Sequence, residues 1–176
     1  MHTPVNVNLT KVSGHPHRDT MFSVPSFTRP ASKLKVYGGT GNDGFEVGPL
    51  AGMHGATEFI GGRGWDNITT AHSAVAGKDL NVSLTPTAVV ESLHATHRRS
   101  VAFSGIERRT HTINGAAGSI VRTSLTQPLT GTNVLLNSNG AAGGEIHHKL
   151  RMCQAGAFVR FQVAGPGMHS LDLGNA

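Results

Sequence analysis

GGTGNDGFE (residues 38–46) and GGRGWDNIT (61–69) place three glycines, an aspartate and one apolar residue at the same offsets. Leu34 and Val36 precede the first stretch, Phe59 and Ile60 the second; Phe45 and Val47 continue the first, Ile68 the second. Apolar alternation on both sides of a Gly-rich turn predicts strand, turn, strand. Glycine lets such a turn visit positive φ and bring several carbonyl oxygens to one point without a Cβ in the way. Asp43 and Asp66 are 23 residues apart. If both turns lie on one side of the molecule, the chain between them must bulge, and GPLAGMHGA (48–56) is the expected place.

The rest of the chain reads in the same terms. Glycine supplies 23 of 176 residues, apolar residues 38% and aromatics 5%, so a core must be built from Val, Ile, Leu and Ala between turns. Gly inside a helix costs about 1 kcal/mol relative to Ala, which favours short strands. DLNVSLTPTAVVE (79–91) predicts two strands broken at Pro86, ESLHATHRRS (91–100) a short helical turn, and VAFSGIE (101–107) a strand ending at Gly105. The tail from Phe158 predicts one alternating strand, through Phe161 and Val163, and then a polar Gly-rich end. Pro4, Pro16, Pro25 and Pro30 mark the first 33 residues as irregular or edge-strand material, because Pro cannot donate to a ladder.

Charge and cysteine usage exclude several classes. The net charge is +5, but the basic residues are scattered and form no run of the kind that binds nucleic acid. Cys153 stands alone, so no intrachain disulfide forms. Neither the apolar core of an N-terminal secretory signal nor an apolar run of about 18 residues is present, so no signal peptide and no transmembrane helix are expected. His94 and His97 lack the glutamate of H-E-x-x-H, and with His111, His147, His148 and Cys153 they make no zinc pattern. Those histidines are expected at the surface or partly packed. No G-x-S-x-G occurs, and no enzyme activity is expected.

Both opening stretches match Gly-Gly-x-Gly-x-Asp-x-U-x, with U apolar, at every specified position. One match is expected by chance on the order of once in a few hundred such chains, so two carry weight. On these residues the chain resembles the RTX (repeats-in-toxin, haemolysin-type) calcium-binding family. The resemblance implies an all-β fold, a parallel β-roll or β-solenoid built on Gly-rich nonapeptide turns, with calcium ions between turns of neighbouring coils. Calcium takes ~6–8 oxygens at ~2.3–2.6 Å, and carboxylates with main-chain carbonyls can supply them. Carried over residue by residue, the metal site would use Gly38, Gly39, Gly41 and Asp43 in the first turn and Gly61, Gly62, Gly64 and Asp66 in the second. Phe45 and Ile68 would start inward-facing strands, Trp65 would flank its turn at the surface, and Glu46 and Glu58 would sit on solvated strand faces. Family turns on one side recur every eighteen residues, against 23 here, and the family is usually more acidic than a chain with ten acidic and fifteen basic residues.

The implied organisation is an N-terminal flank (1–33), a roll region (34–150) and a C-terminal strand and tail (151–176). Inside the roll, residues 115–123 and 140–148 echo the turn: Gly115, Ala116 and Gly118 with Ile120 at the aspartate position, then Gly140, Ala141 and Gly143 with Glu145 there. The functional expectation is a non-catalytic, calcium-binding segment of a secreted or cell-surface protein. The alternative is an adhesin or scaffold solenoid in which calcium binding is weak or lost.

Overall fold

The structure, a computed structural model, describes residues 7–12, 19–22, 33–48, 56–94, 97–125, 127, 129, 131–151 and 157–173. Among them the chain is all-β, as glycine and alternating Val, Ile and Leu predict, and its strands form one sheet of seven and one of eight. No helix in the described residues is long and apolar enough to cross a membrane.

β1 (Val7–Val12) and β2 (Asp19–Phe22) pair antiparallel at one edge of the seven-stranded sheet. The chain then alternates between sheets. β3 (Lys33–Thr40), β5 (Ala56–Arg63), β9 (His97–Ser104), β11 (Ile120–Leu125), β13 (Glu145–Leu150) and β15 (Met168–Asp172) belong to the larger sheet. β4 (Asn42–Val47), β6 (Asn67–Ser73), β10 (Arg108–Asn114), β12 (Asn133–Asn139) and β14 (Phe158–Ala164) belong to the smaller. Neighbours in the smaller sheet from β4 to β14 are parallel. Gly44 pairs with Asn67, Asn67 with Arg108, Arg108 with Asn133 and Asn133 with Phe158, in steps of 23, 41, 25 and 25 residues.

The long step has a local cause. β7 (Leu80–Leu84) and β8 (Ala88–Leu93) form an antiparallel hairpin inserted into the larger sheet between β11 and β9. Pro86 breaks the two strands as expected, with Thr85 N–H donating to Ala88 O at 2.9 Å. The buried Arg109 guanidinium holds this turn by donating to Thr85 O at 2.9 Å and to Pro86 O, while stacking 4.4 Å from the Phe103 ring centroid.

Period-two alternation buries one face of each strand. In register, Ile68, Arg109 and Val134 form one inward row of the smaller sheet, and Thr70, His111 and Leu136 the next. Leu80, Val121 and Ile146 answer from the larger sheet. Phe45 and Ile68, expected to point inward, are 1% and 0% exposed, and Phe45 packs on Phe59 with ring centroids 5.1 Å apart. Fully burying a side chain of this size contributes about 1.5–3 kcal/mol.

Two local expectations need correction. The helical turn expected over 91–100 is replaced by the end of β8 and the start of β9, because Glu91 is buried on β8 against His72 and Arg99. The tail carries a second strand, β15, which pairs with β13 from Met168↔Glu145 to Asp172↔Lys149. The bulge expected at 48–56 and Cys153 fall, apart from Gly48 and Ala56, outside the described residues.

Candidate metal centre

The two motif turns join a strand of the larger sheet to one of the smaller, β3 to β4 and β5 to β6, and they stack. Gly39 pairs with Gly62, Gly41 N–H donates to Arg63 O at 2.8 Å, and Trp65 N–H donates to Asn42 Oδ1 at 2.8 Å. Gly41 and Gly64, at φ +118° and +140°, turn the chain in a region that L side chains rarely adopt. Gly38 and Gly61 are required by space. A Cβ on Gly38 would stand 2.4 Å from Asp43 Oδ2 and 2.6 Å from Gly61 O; one on Gly61 would stand 2.3 Å from Asp66 Oδ2 and 2.0 Å from Gly105 O. Each turn thus repeats the same cradle: a bare glycine with a carboxylate oxygen and the carbonyl of the following turn converging on it.

A third turn completes the stack. Phe59↔Phe103 and Ile60↔Ser104 pair before it, and Asn67↔Arg108 after it, so Gly105, Ile106 and Glu107 do in three residues what residues 61–66 do in six. Asp66 N–H donates to Glu107 Oε2 at 2.7 Å, and Asp43 N–H donates to Asp66 Oδ1 at 2.7 Å. Asp66 O in turn accepts Glu107 N–H at 3.1 Å and Arg108 N–H at 3.0 Å. Sequence reading takes VAFSGIE as a strand end and assigns Glu107 no role. The shared signal is Phe-x-Gly followed by an acid, hidden by the three-residue shortening.

Asp43 and Asp66 are 4% and 0% exposed. Asp66 Oδ2 has no hydrogen-bond partner. Burial raises the Asp66 pKa above the ordinary carboxylate value, the hydrogen bond from Asp43 N–H opposes this, and the Asp43 and Glu107 carboxylates add to the rise. A column of three carboxylates with one buried, unpartnered oxygen has the chemistry of a hard-cation site. Among the described residues no three His, Cys, Asp or Glu side chains converge closely enough to hold a metal by themselves. Main-chain oxygens, Gly61 O and Gly105 O, stand beside the Asp43 and Asp66 carboxylates. Arg63 and Trp65 are exposed at the rim.

The degenerate turns lie elsewhere. Those at 115–119 and 140–144 join β10 to β11 and β12 to β13, smaller sheet to larger, in the opposite sense to the motif turns. They stack on each other, with Gly118 N–H donating to Gly143 O and Glu145 N–H to Ser119 O, both at 3.0 Å. Ile120 and Glu145 open strands there, and Glu145 Oε2 accepts from His147 Nε2 at 2.9 Å.

The core holds a polar chain that sequence reading missed. His72 Nδ1–H donates to Glu91 Oε2 at 3.0 Å; the Thr70 hydroxyl donates to His72 Nε2 at 2.8 Å and accepts from His111 Nδ1–H at 2.7 Å, one tautomer set satisfying all three. Carboxylate, imidazole and hydroxyl stand in the order of a nucleophile relay, with Thr70 0% exposed. His111 and His148, expected at or near the surface, are 1% and 2% exposed. Burial, then His72 and Arg109, push the His111 pKa well below its ordinary value; burial, then His169 and His147, push that of His148 down to about 4.

In comparisons with known proteins, no family model matches the chain, and no curated protein or solved structure is found similar to it.

Proposed function

We propose that this chain is a non-catalytic calcium-binding segment of RTX type from a secreted or cell-surface protein. Its alternating parallel strands would coil as a β-roll, each rung covering the apolar face of the next. The observation that carries the reading is Asp66 Oδ2, buried and unpartnered beside Gly105 O, with the same pairing of Asp43 Oδ2 and Gly61 O one rung away. Calcium would supply the positive charge that this column lacks. Asp43, Asp66 and Glu107 would contribute carboxylates, and Gly61 and Gly105 carbonyls. Calcium is abundant outside cells, and binding would add RT ln(1 + [Ca]/Kd) to stability. Circular dichroism with and without millimolar calcium tests this: a raised melting temperature is expected, and unchanged melting and β-content would reject the reading.

A second reading has its own support. Asp66 and Glu107 already accept the main-chain N–H of a neighbouring turn, which stacks the rungs without a cation. On that basis the chain is a scaffold or adhesin solenoid with calcium binding weak or lost, and calcium leaves its melting unchanged.

A further inference from the structure

β13 is buried at Ile146, His148 and Leu150, so period two turns Glu145, His147 and Lys149 to the outer face of the larger sheet. β15 lies beside it in register, and Ser170, the partner of His147, is exposed on that face. The Ser170 hydroxyl donates to His147 Nδ1 at 2.6 Å, and His147 Nε2–H donates to Glu145 Oε2 at 2.9 Å, one tautomer satisfying both contacts. Hydroxyl, imidazole and carboxylate thus repeat outside the sheet the order that Thr70, His72 and Glu91 hold inside the core. Here the groups are open to solvent, the His147 side chain being 36% and the Glu145 side chain 41% exposed.

His147 and Ser170 line a groove of about 860 Å³ on this face, a volume within the range of small-molecule sites. Its lining carries the cations Arg98, Arg122 and Lys149 and one carboxylate, Asp172. Arg122 is in register with His147 on β11, and Lys149 follows His147 by two residues on the same outward face, so two cations flank the imidazole. Arg122 also donates to Asp79 Oδ2 at 3.0 Å. A serine hydroxyl is a weak nucleophile until a base beside it takes its proton, and cations near the reacting carbonyl favour the negative charge that develops on its oxygen.

We propose that Ser170 is a reactive nucleophile that takes the acyl group of an activated carboxylic ester lying in this groove. Ser170 Oγ forms a bond to the carbonyl carbon, and the bond from that carbon to the leaving alcohol's oxygen breaks. The hydroxyl proton passes to His147 Nδ1 and from there to the departing oxygen; nothing is oxidised or reduced. Glu145 is a positioning residue, holding the proton on Nε2 so that Nδ1 faces Ser170. One transfer consumes the hydroxyl, so the chain is modified rather than turned over. The step involves neither motif turn and does not depend on calcium.

Incubation of the full chain with p-nitrophenyl acetate in calcium-free buffer, followed by acid quench and peptide mass mapping, tests the proposal. An acetyl group is expected on Ser170 at a rate about a hundredfold above that on Ser100, which is exposed on β9 of the same sheet, since a positioned base contributes a factor of about 100 or more. His147→Gln should bring Ser170 down to the Ser100 rate with thermal melting unchanged. Glu145→Ala should slow the labelling, and Glu145→Gln, whose side-chain oxygen still accepts Nε2–H, should recover most of the loss. No acetyl on Ser170, or labelling of Ser170 that His147→Gln leaves untouched, would overturn the proposal, and neither result bears on calcium binding.

Discussion

The main-chain N–H of Asp43 donates to Oδ1 of Asp66, 23 residues on, at 2.7 Å, and so ties one Gly-rich turn to the next through a carboxylate that is 0% exposed. One oxygen of Asp66 stacks the turns, while the other has no hydrogen-bond partner. The two roles separate by mutation.

Asp66→Asn keeps an acceptor for Asp43 N–H and removes the charge. Without calcium its stability should equal or exceed that of the wild type, because the ionised carboxyl is disfavoured by burial and by Asp43 and Glu107; with calcium its gain should vanish. Asp66→Ala leaves a buried N–H without its acceptor and should cost about 1–3 kcal/mol even without calcium. Urea unfolding of both variants, with and without calcium, reads the difference.

Gly61→Ala should destabilise by about 1–3 kcal/mol or prevent folding, since its Cβ would meet Gly105 O at 2.0 Å and Asp66 Oδ2 at 2.3 Å. Gly48→Ala is the control. It meets nothing within 4 Å, and thermal melting should place it within about 0.5 kcal/mol of the wild type.

Arg109→Met removes the donors that hold the β7–β8 turn through Thr85 O and Pro86 O. A loss of about 1.5–3 kcal/mol is expected, the range for charge-assisted bonds. Hydrogen exchange should show faster opening of residues 80–93 than of the motif turns.

Acid should weaken the fold through the buried imidazoles. His111 and His148 have folded pKa values below the unfolded value, so the unfolded chain binds more protons and stability falls as pH drops below about 6.5, for His148 down to about 4. Asp66 acts in the opposite sense: its raised pKa makes protonation favour the folded state, and this is lost as pH rises through that pKa. Protonated Asp66 is also a poor ligand, so calcium stabilisation should shrink at low pH. Urea midpoints from pH 8 to pH 4, in His148→Gln and wild type, test the first effect: the variant should show the shallower slope.

Strand alternation and both Gly-rich turns were legible because each is local: Phe45 and Ile68 point inward for the reason that period-two pattern gives. Glu107 was not, because its turn is three residues shorter and the equivalence appears only when Phe103 pairs with Phe59. His111 and His148 read as polar surface positions, yet register places them over Thr70 and beside Ser138, whose hydroxyls hydrogen-bond Nδ1 of His111 and Nε2 of His148 in the core. Residues 91–100 look helical in isolation, and partners distant in sequence, His72 above all, override that preference. The opposite sense of the turns at 115–119 and 140–144 depends on which sheet each flanking strand joins, which no short motif encodes.

The central claim is tested most directly by isothermal titration of the full chain with calcium chloride, beside an Asp43→Asn/Asp66→Asn variant shown by circular dichroism to be folded. Saturable heat is expected from the wild type in the micromolar-to-millimolar range, with at least a tenfold loss of affinity in the variant. No heat from the wild type, or equal heat from both, would contradict a calcium site between the stacked turns.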